Sequence, residues 1–224
     1  MITVMDRKMD RKINARNWII GMILCPLGVC FSAKSGFGVS MVEAPVFVLY
    51  NKISELAEWY TFGTSEYLVQ GLLMLALFIV MRKFIPRYLL SFGTAVIYGF
   101  ILDGWYMLVG RDIYIAMPAR IISAAVGMSL TSFAVAMFFR TSWPQEVWEL
   151  FVKEISENFG LDMTAFKLKY DIASLATGII LMLIFFRRFD LNMIGIGTLI
   201  MTFVNAPMIG FWGKLIDRYM MKNH

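Results

Sequence analysis

The chain has 224 residues, a formal charge of +5, a mean hydropathy of +0.67 and a hydrophobic fraction of 59%. A soluble domain is roughly 45–50% apolar, so this composition predicts an integral membrane protein with no soluble domain of normal size. The 21 Lys and Arg residues cluster beside apolar runs, where they orient a membrane protein, and this placement argues against a nucleic-acid partner.

Six apolar runs are predicted to cross the bilayer as helices. Most approach the ~20 residues that span hydrocarbon, whereas the first, second and fifth are short unless their polar ends lie in the interface or in protein. The basic stretch before the first run resembles a signal peptide, but no clean cleavage site follows, so we expect a retained helix. The runs lie near residues 18–32, 67–81, 89–109, 121–139, 172–186 and 193–212.

The two halves of the chain resemble each other at an offset of 104 residues. Ala15-Arg16 corresponds to Ala119-Arg120, and Gly93-Thr94 corresponds to Gly197-Thr198. A duplicated unit is the usual plan of a membrane carrier. Three spans per half require the second half to enter the membrane inverted. We therefore predict an all-α membrane domain of two inverted three-helix repeats, residues 15–110 and 119–213, between tails 1–14 and 214–224.

Charge placement predicts the topology. With a cytoplasmic N-terminus, fifteen of the 21 Lys and Arg residues fall inside and six outside, which favours six spans with both termini cytoplasmic. An eight-span alternative makes residues 39–50 and 143–155 cross as well. It would place Arg82, Lys83 and Arg87 outside, against this bias.

Each half carries a short extra segment between its first and second spans. Residues 39–50 follow Gly36 and Gly38 and are apolar around the helix, which favours a re-entrant helix over an interfacial one. Residues 143–155 are amphipathic, which favours an interfacial helix. There, Pro144 is predicted in the first turn with Ser142 as the cap. The predicted polar face holds Glu146, Glu149, Lys153 and Glu154.

Short glycine motifs carry a family resemblance. Gly36-Phe37-Gly38, Phe62-Gly63-Thr64, Gly93-Thr94 and Gly99 followed by Asp103 resemble the YczE/YitT-like bacterial membrane proteins, best over residues 15–109. Where that family often has Trp-Asp after its glycine turn, this chain has Met41-Val42-Glu43. The resemblance implies a multispan protein of the bacterial inner membrane.

Ionisable groups inside a membrane are costly, roughly 2.5–3.5 kcal/mol for a central Asp, and are therefore candidates for solute or ion binding. Asp103 is the clearest case, although pairing with a neighbouring basic residue would also explain it. Glu66 and Asp171 open the second span of each half, where acids also favour helix N-termini. Further candidate ligands are Glu43, Tyr67, Gln70 and Asn205, and the predicted turn glycines are Gly36, Gly38, Gly63, Gly93 and Gly197.

Enzyme motifs are missing from the sequence. It has no P-loop, no HExxH motif and no Ser-His-Asp set, and its one histidine is His224. Cys25 and Cys30 lie five residues apart on different helix faces, which predicts neither a metal site nor a disulfide. We therefore expect no catalytic residues, no metal and no cofactor.

Two kinds of function remain open. The first is a small secondary transporter or channel-like carrier of a small solute, with cation or proton coupling. An excess of buried acid over buried base favours a cation, a proton-coupled solute or an amine. The alternative is a non-transporting accessory subunit, similar to the substrate-binding components of energy-coupling-factor importers, or a partner-binding membrane protein. Ala124, Ala125, Gly127 and Ser129 would form the docking face of such a subunit. The expected partners are the bilayer, the solute and either a second copy or a larger complex.

Overall fold

The computed structural model describes residues 4–110 and 115–222. Arg111 and His224, which entered the charge and motif arguments, lie outside the described residues. Eight α-helices occur within these ranges. In chain order they are α1 (Val4–Ser35), α2 (Ala44–Ile53), α3 (Phe62–Met81), α4 (Tyr88–Val109), α5 (Met117–Phe138), α6 (Val147–Phe159), α7 (Met163–Phe186) and α8 (Ile196–Lys222).

Six of these helices are long and apolar enough to cross a membrane, as predicted. The segments are Asn14–Ser35, Phe62–Met81, Tyr88–Val109, Met117–Phe138, Ala165–Phe186 and Ile196–Tyr219. The second and fifth apolar runs gain their missing length at their N-terminal ends, and the first gains it at both ends, from segments that include polar residues. In α3 the added turn begins at a capping Thr61, whose side chain accepts a hydrogen bond from the Thr64 N–H, and it includes the fully buried Glu66.

The two short helices do not span. At about 1.5 Å per residue, α2 with 10 residues and α6 with 13 residues reach only about 15 and 20 Å, against a core of about 30 Å. This length excludes the eight-span alternative. Most of α2 is buried, and it packs against α3 and α7, while α6 packs against α3, α4 and α7.

The predicted start of α6 was wrong. The helix begins at Val147 with Glu146 at its N-cap, so Pro144 precedes the first turn and Ser142 is not the cap. The carbonyl oxygen of Pro144 accepts hydrogen bonds from Trp18 Nε1 at 2.9 Å and Thr94 Oγ1 at 3.2 Å. These long-range bonds hold the segment before α6 in a non-helical conformation.

A close contact between α1 and α5 forms the centre of the bundle. A Cβ added at Gly28 would lie 2.7 Å from the Gly127 carbonyl oxygen, and the reverse substitution is equally tight. The two backbones can approach this closely only because both positions are glycine. Gly127, predicted as part of an outward docking face, is therefore buried inside the protein.

The predicted turn glycines fall into two groups. Gly36 and Gly38 have positive φ angles of 65° and 98° and form the turn before α2. Gly63, Gly93 and Gly197 lie instead inside α3, α4 and α8, so their assignment as turn residues was wrong. Gly63 and Gly197 allow close backbone contacts: their Cβ atoms would lie 2.0 Å from the Gly99 carbonyl oxygen and 2.7 Å from that of Phe37.

Candidate functional site

A cavity of about 110 Å³ lies among the helices, with lining residues from α1, α4, α5, α6, α7 and α8 and from the segment that precedes α2. Three of its lining side chains are carboxylic acids, and the lining also includes two aromatic rings. The residues that matter for its chemistry are Ser32, Glu43, Tyr98, Glu146, Trp148, Glu149, Lys167 and Asn205.

Gln70 hydrogen-bonds the side chains and backbone that lie directly behind this cavity. Its side-chain Nε2 donates to Glu66 Oε1 at 2.8 Å and to Glu146 Oε2 at 2.7 Å, while its Oε1 accepts from the backbone N–H of Val147 at 2.8 Å. Trp148 Nε1 also donates to Glu66 Oε1 at 2.8 Å. One fully buried amide thus joins α3 to the N-terminus of α6 and holds two acids in place.

Glu43 brings a third acid to this group from the N-cap position of α2. It lines the cavity, its side chain is buried, and its Oε2 has no hydrogen-bond partner within the described residues. Burial raises the pKa of the Glu43 carboxyl group well above its usual range, and the neighbouring Glu66 carboxyl raises it further. Burial and the neighbouring Glu66 therefore both disfavour the ionised form of Glu43.

Glu146 and Glu149 form the α6 side of the cavity. Burial raises the pKa of Glu146, and the charges of Glu149 and Glu66 raise it further, although the Gln70 hydrogen bond acts in the opposite direction. Burial also raises the pKa of Glu149, while the charge of Lys167 lowers it. Lys167 is itself paired with Asp171 at 2.8 Å, so its charge is already partly balanced.

Two aromatic side chains line the cavity and have their polar atoms hydrogen-bonded elsewhere. Trp148 Nε1 donates a hydrogen bond to Glu66 Oε1, and the Tyr98 hydroxyl contacts Cys25 Sγ at 3.7 Å. These bonds orient both rings. An aromatic face beside carboxylates is an environment that attracts organic cations.

The structure brings four of the seven predicted binding residues together. Glu43 and Asn205 line the cavity, and Glu66 and Gln70 form its wall. Asn205 is held by Ser132, whose hydroxyl donates to its Oδ1 at 2.7 Å. The other three, Tyr67, Asp103 and Asp171, are not part of this group.

Asp103 stabilises the start of a neighbouring helix. Its two oxygens accept from Thr61 Oγ1 at 2.6 Å and from the Gly63 N–H at 2.7 Å, so it satisfies the N-terminus of α3. Within the described residues these contacts include no basic partner, and cation binding by Asp103 stays a prediction. Tyr67 donates to Thr64 Oγ1 at 3.3 Å on its own helix, and Asp171 pairs with Lys167 beside the cavity.

Sequence reasoning missed Glu146, Trp148 and Glu149 as site residues. The two acids were assigned to a polar, solvent-facing side of an interfacial helix, but Glu146 is buried and both line the cavity. An available signal was Gln70 in the middle of an apolar run, because a buried amide requires several polar partners. Helical periodicity alone cannot show whether a polar face meets water or another polar group.

Metal binding has little support from the arrangement of these side chains. Within residues 4–110 and 115–222, no group of three or more His, Cys, Asp or Glu side chains is placed to hold a metal ion. Cys25 and Cys30 are free thiols, and Cys30 Sγ contacts the Leu102 carbonyl oxygen at 3.7 Å.

Comparisons with known proteins cover nearly the whole membrane domain. Residues 15–214 match the model of a family of unknown function, DUF6198. The chain belongs to this family. It is also similar to the "Uncharacterized protein YyaS" of Bacillus subtilis (strain 168), with 26% identity over 209 residues, which is 92% of this chain and 94% of that protein. No solved structure matches. The family match covers both halves, whereas the sequence motifs resembled a known family best in the first.

Proposed function

We propose that this protein is a small secondary carrier that exchanges a cationic solute for a proton at the acidic cavity. The observation that carries the proposal is the convergence of Glu43, Glu146 and Glu149 on one cavity, with Glu66 directly behind them. Lys167 is the cationic side chain that lines this cavity, and it is paired with Asp171. The acids therefore outnumber the available positive charge, and such an excess is balanced either by protons or by a bound cation.

Competition between a proton and a solute would couple the two fluxes. With the cavity empty, Glu43 holds a proton because its charge is unfavourable beside Glu66 and away from water. A cation that enters the cavity stabilises the ionised carboxylate, so the proton leaves. Since one carboxyl group cannot serve both at once, movement of the solute in one direction accompanies movement of a proton in the other.

Part of the contact pattern supports the inverted repeat that such a carrier uses, although the close packing of α3 on α4 has no equal between α7 and α8. Helix α2 packs against α3 and α7, and its counterpart α6 packs against α7 and α3; likewise α1 packs on α4, and α5 on α8. Thr94 bonds the segment before α6, while Thr198, 104 residues later, lies 2.3 Å from the position of a Cβ added at Gly38, in the segment before α2. Carriers commonly place their site between such halves.

The location that fits this proposal is a bacterial inner membrane, with six spans and both termini cytoplasmic. The finer likeness to the YczE/YitT-like proteins belongs to the same proposal. Its basis is the glycine motif before α2 together with Glu43 at the position of that family's acid.

Proteoliposomes loaded with a pH-sensitive dye test the carrier. We expect an inward gradient of at least one cation, from a panel of small inorganic and organic cations, to make the lumen more alkaline as protons leave. Glu43→Gln should abolish this response. Asp103→Asn should retain it when the protein folds, because Asp103 lies outside the cavity. Folded wild-type protein that moves no protons with any of these cations would refute the proposal.

A further inference from the structure

The cavity lining contains buried polar oxygens that have no hydrogen-bond partner within the described residues. Glu43 Oε2 and Ser32 Oγ are both buried without a hydrogen-bond partner within the described residues, and both side chains belong to the lining. Their exposed fractions are 8% and 2%. Leaving such groups unsatisfied is costly, so a ligand that donates hydrogen bonds to them is favoured.

The same lining has a negative and aromatic character. Glu146 and Glu149 add carboxyl groups from α6, and the Trp148 and Tyr98 rings form part of the wall. A positively charged nitrogen gains from both, by charge attraction and by contact with the aromatic face. A neutral ligand would leave these carboxyl groups to be balanced by protons, and an anionic ligand would be repelled by any that ionise.

The size of the cavity limits the ligand. A water takes up about 30 Å³ of the liquid, so about 110 Å³ holds roughly four water-sized groups. A small organic cation fits, while a solute of drug-like size does not. Because the described residues hold no three-ligand arrangement for a metal, an ion that requires such ligands is disfavoured.

We propose that the ligand is a small organic cation with several N–H donors, of the guanidinium or primary ammonium class, bound between Glu43, Ser32 and the Trp148 ring. This inference rests on the proposed function and names the class of its substrate. The charge balances in a single exchange: the cation binds the ionised Glu43 carboxylate, and the proton that this carboxyl group held is released to solvent. No covalent bond changes apart from that O–H bond.

Calorimetric titration of the purified protein in detergent tests this assignment, with guanidinium and methylammonium as probes at constant ionic strength. We expect saturable binding of both probes, and at least tenfold weaker binding to Glu43→Gln. Tetramethylammonium has the same charge but no N–H donor, so it should bind at least tenfold more weakly, and so should Na⁺, K⁺ and Mg²⁺. Equal binding of tetramethylammonium or of a metal ion, or no saturable binding of either probe, would overturn the assignment.

Two variants keep the test independent of folding. Ser32→Ala removes a hydroxyl that has no hydrogen-bond partner within the described residues, so it should fold normally and yet weaken guanidinium binding several-fold. Glu55→Gln changes an exposed acid that pairs with Lys52 outside the cavity, and it should bind like the wild type. Unchanged binding by folded Ser32→Ala would count against the assigned pose.

The titration also separates this inference from the carrier proposal. Guanidinium binding in detergent without any proton-coupled flux in liposomes would refute the carrier and leave the ligand class standing. Proton-coupled flux of a metal ion, without binding of either organic probe, would refute the ligand class and leave the carrier standing.

Discussion

Replacing Gln70 with leucine should destabilise the protein by about 3 kcal/mol, since it removes three buried hydrogen bonds at nearly constant volume. The backbone N–H of Val147 would lose its partner, at a cost of about 1–3 kcal/mol, because Val147 is fully buried. Glu66 and Glu146 would each lose a donor, at about 1.5–3 kcal/mol if ionised. Protonation of these acids and the added apolar contact reduce the sum to our expected value.

Reversible unfolding in mixed micelles, with increasing denaturing detergent, measures this loss. Gln145→Leu is the matched control, because within the described residues the Gln145 side chain makes one hydrogen bond, from its Nε2 to the Phe138 carbonyl oxygen at 2.8 Å. We expect the control to lose only about 1 kcal/mol. Equal losses in the two variants, or a loss below about 1 kcal/mol for Gln70→Leu, would refute the role of Gln70 as the organiser of the site.

The remaining predictions concern pH and packing. Because folding raises the pKa of Glu43 above its ordinary value of 4.5, its contribution to stability is fully present below pH 4.5 and is lost as pH rises towards the raised value, by about 1.4 kcal/mol per pH unit. Melting temperatures between pH 4 and 8 should therefore fall less steeply for Glu43→Gln than for the wild type, and identical slopes would contradict this. Gly63→Ala should cost about 1–3 kcal/mol or more, because its Cβ would overlap the Gly99 carbonyl oxygen. Gly93→Ala, with open space at its Cβ, should melt like the wild type.

The six long helices could be predicted from the sequence because their length and apolar composition are local properties. Their polar beginnings could not be assigned so easily. Glu66 stands at the start of an apolar run, where a solvent-facing acid and a buried one look alike. Whether Glu66 can be buried depends on Trp148, which lies 82 residues away in the chain and donates a hydrogen bond to the Glu66 side chain.

The candidate site was only half predictable for the same reason. Glu43 was identified because it interrupts an apolar segment, but Glu146 was assigned to solvent because periodicity gives the face of a helix and not its neighbour. Gln70, the hydrogen-bond partner of Glu146, is 76 residues away in the chain. The role of Asp103 as a ligand stays a prediction: it satisfies the N-terminus of α3, a contact that the sequence did not reveal, and it also lines a second cavity beside Tyr50 and Tyr106.

Proton release on guanidinium binding tests the central claim, that a cation and a proton compete for Glu43. Titrations at pH 6 in two buffers with different ionisation enthalpies give the number of protons released per bound cation. We predict about one proton for the wild type and none for a folded Glu43→Gln variant at concentrations that still saturate it. Guanidinium binding to the wild type without proton release, or equal release in both proteins, would contradict the account.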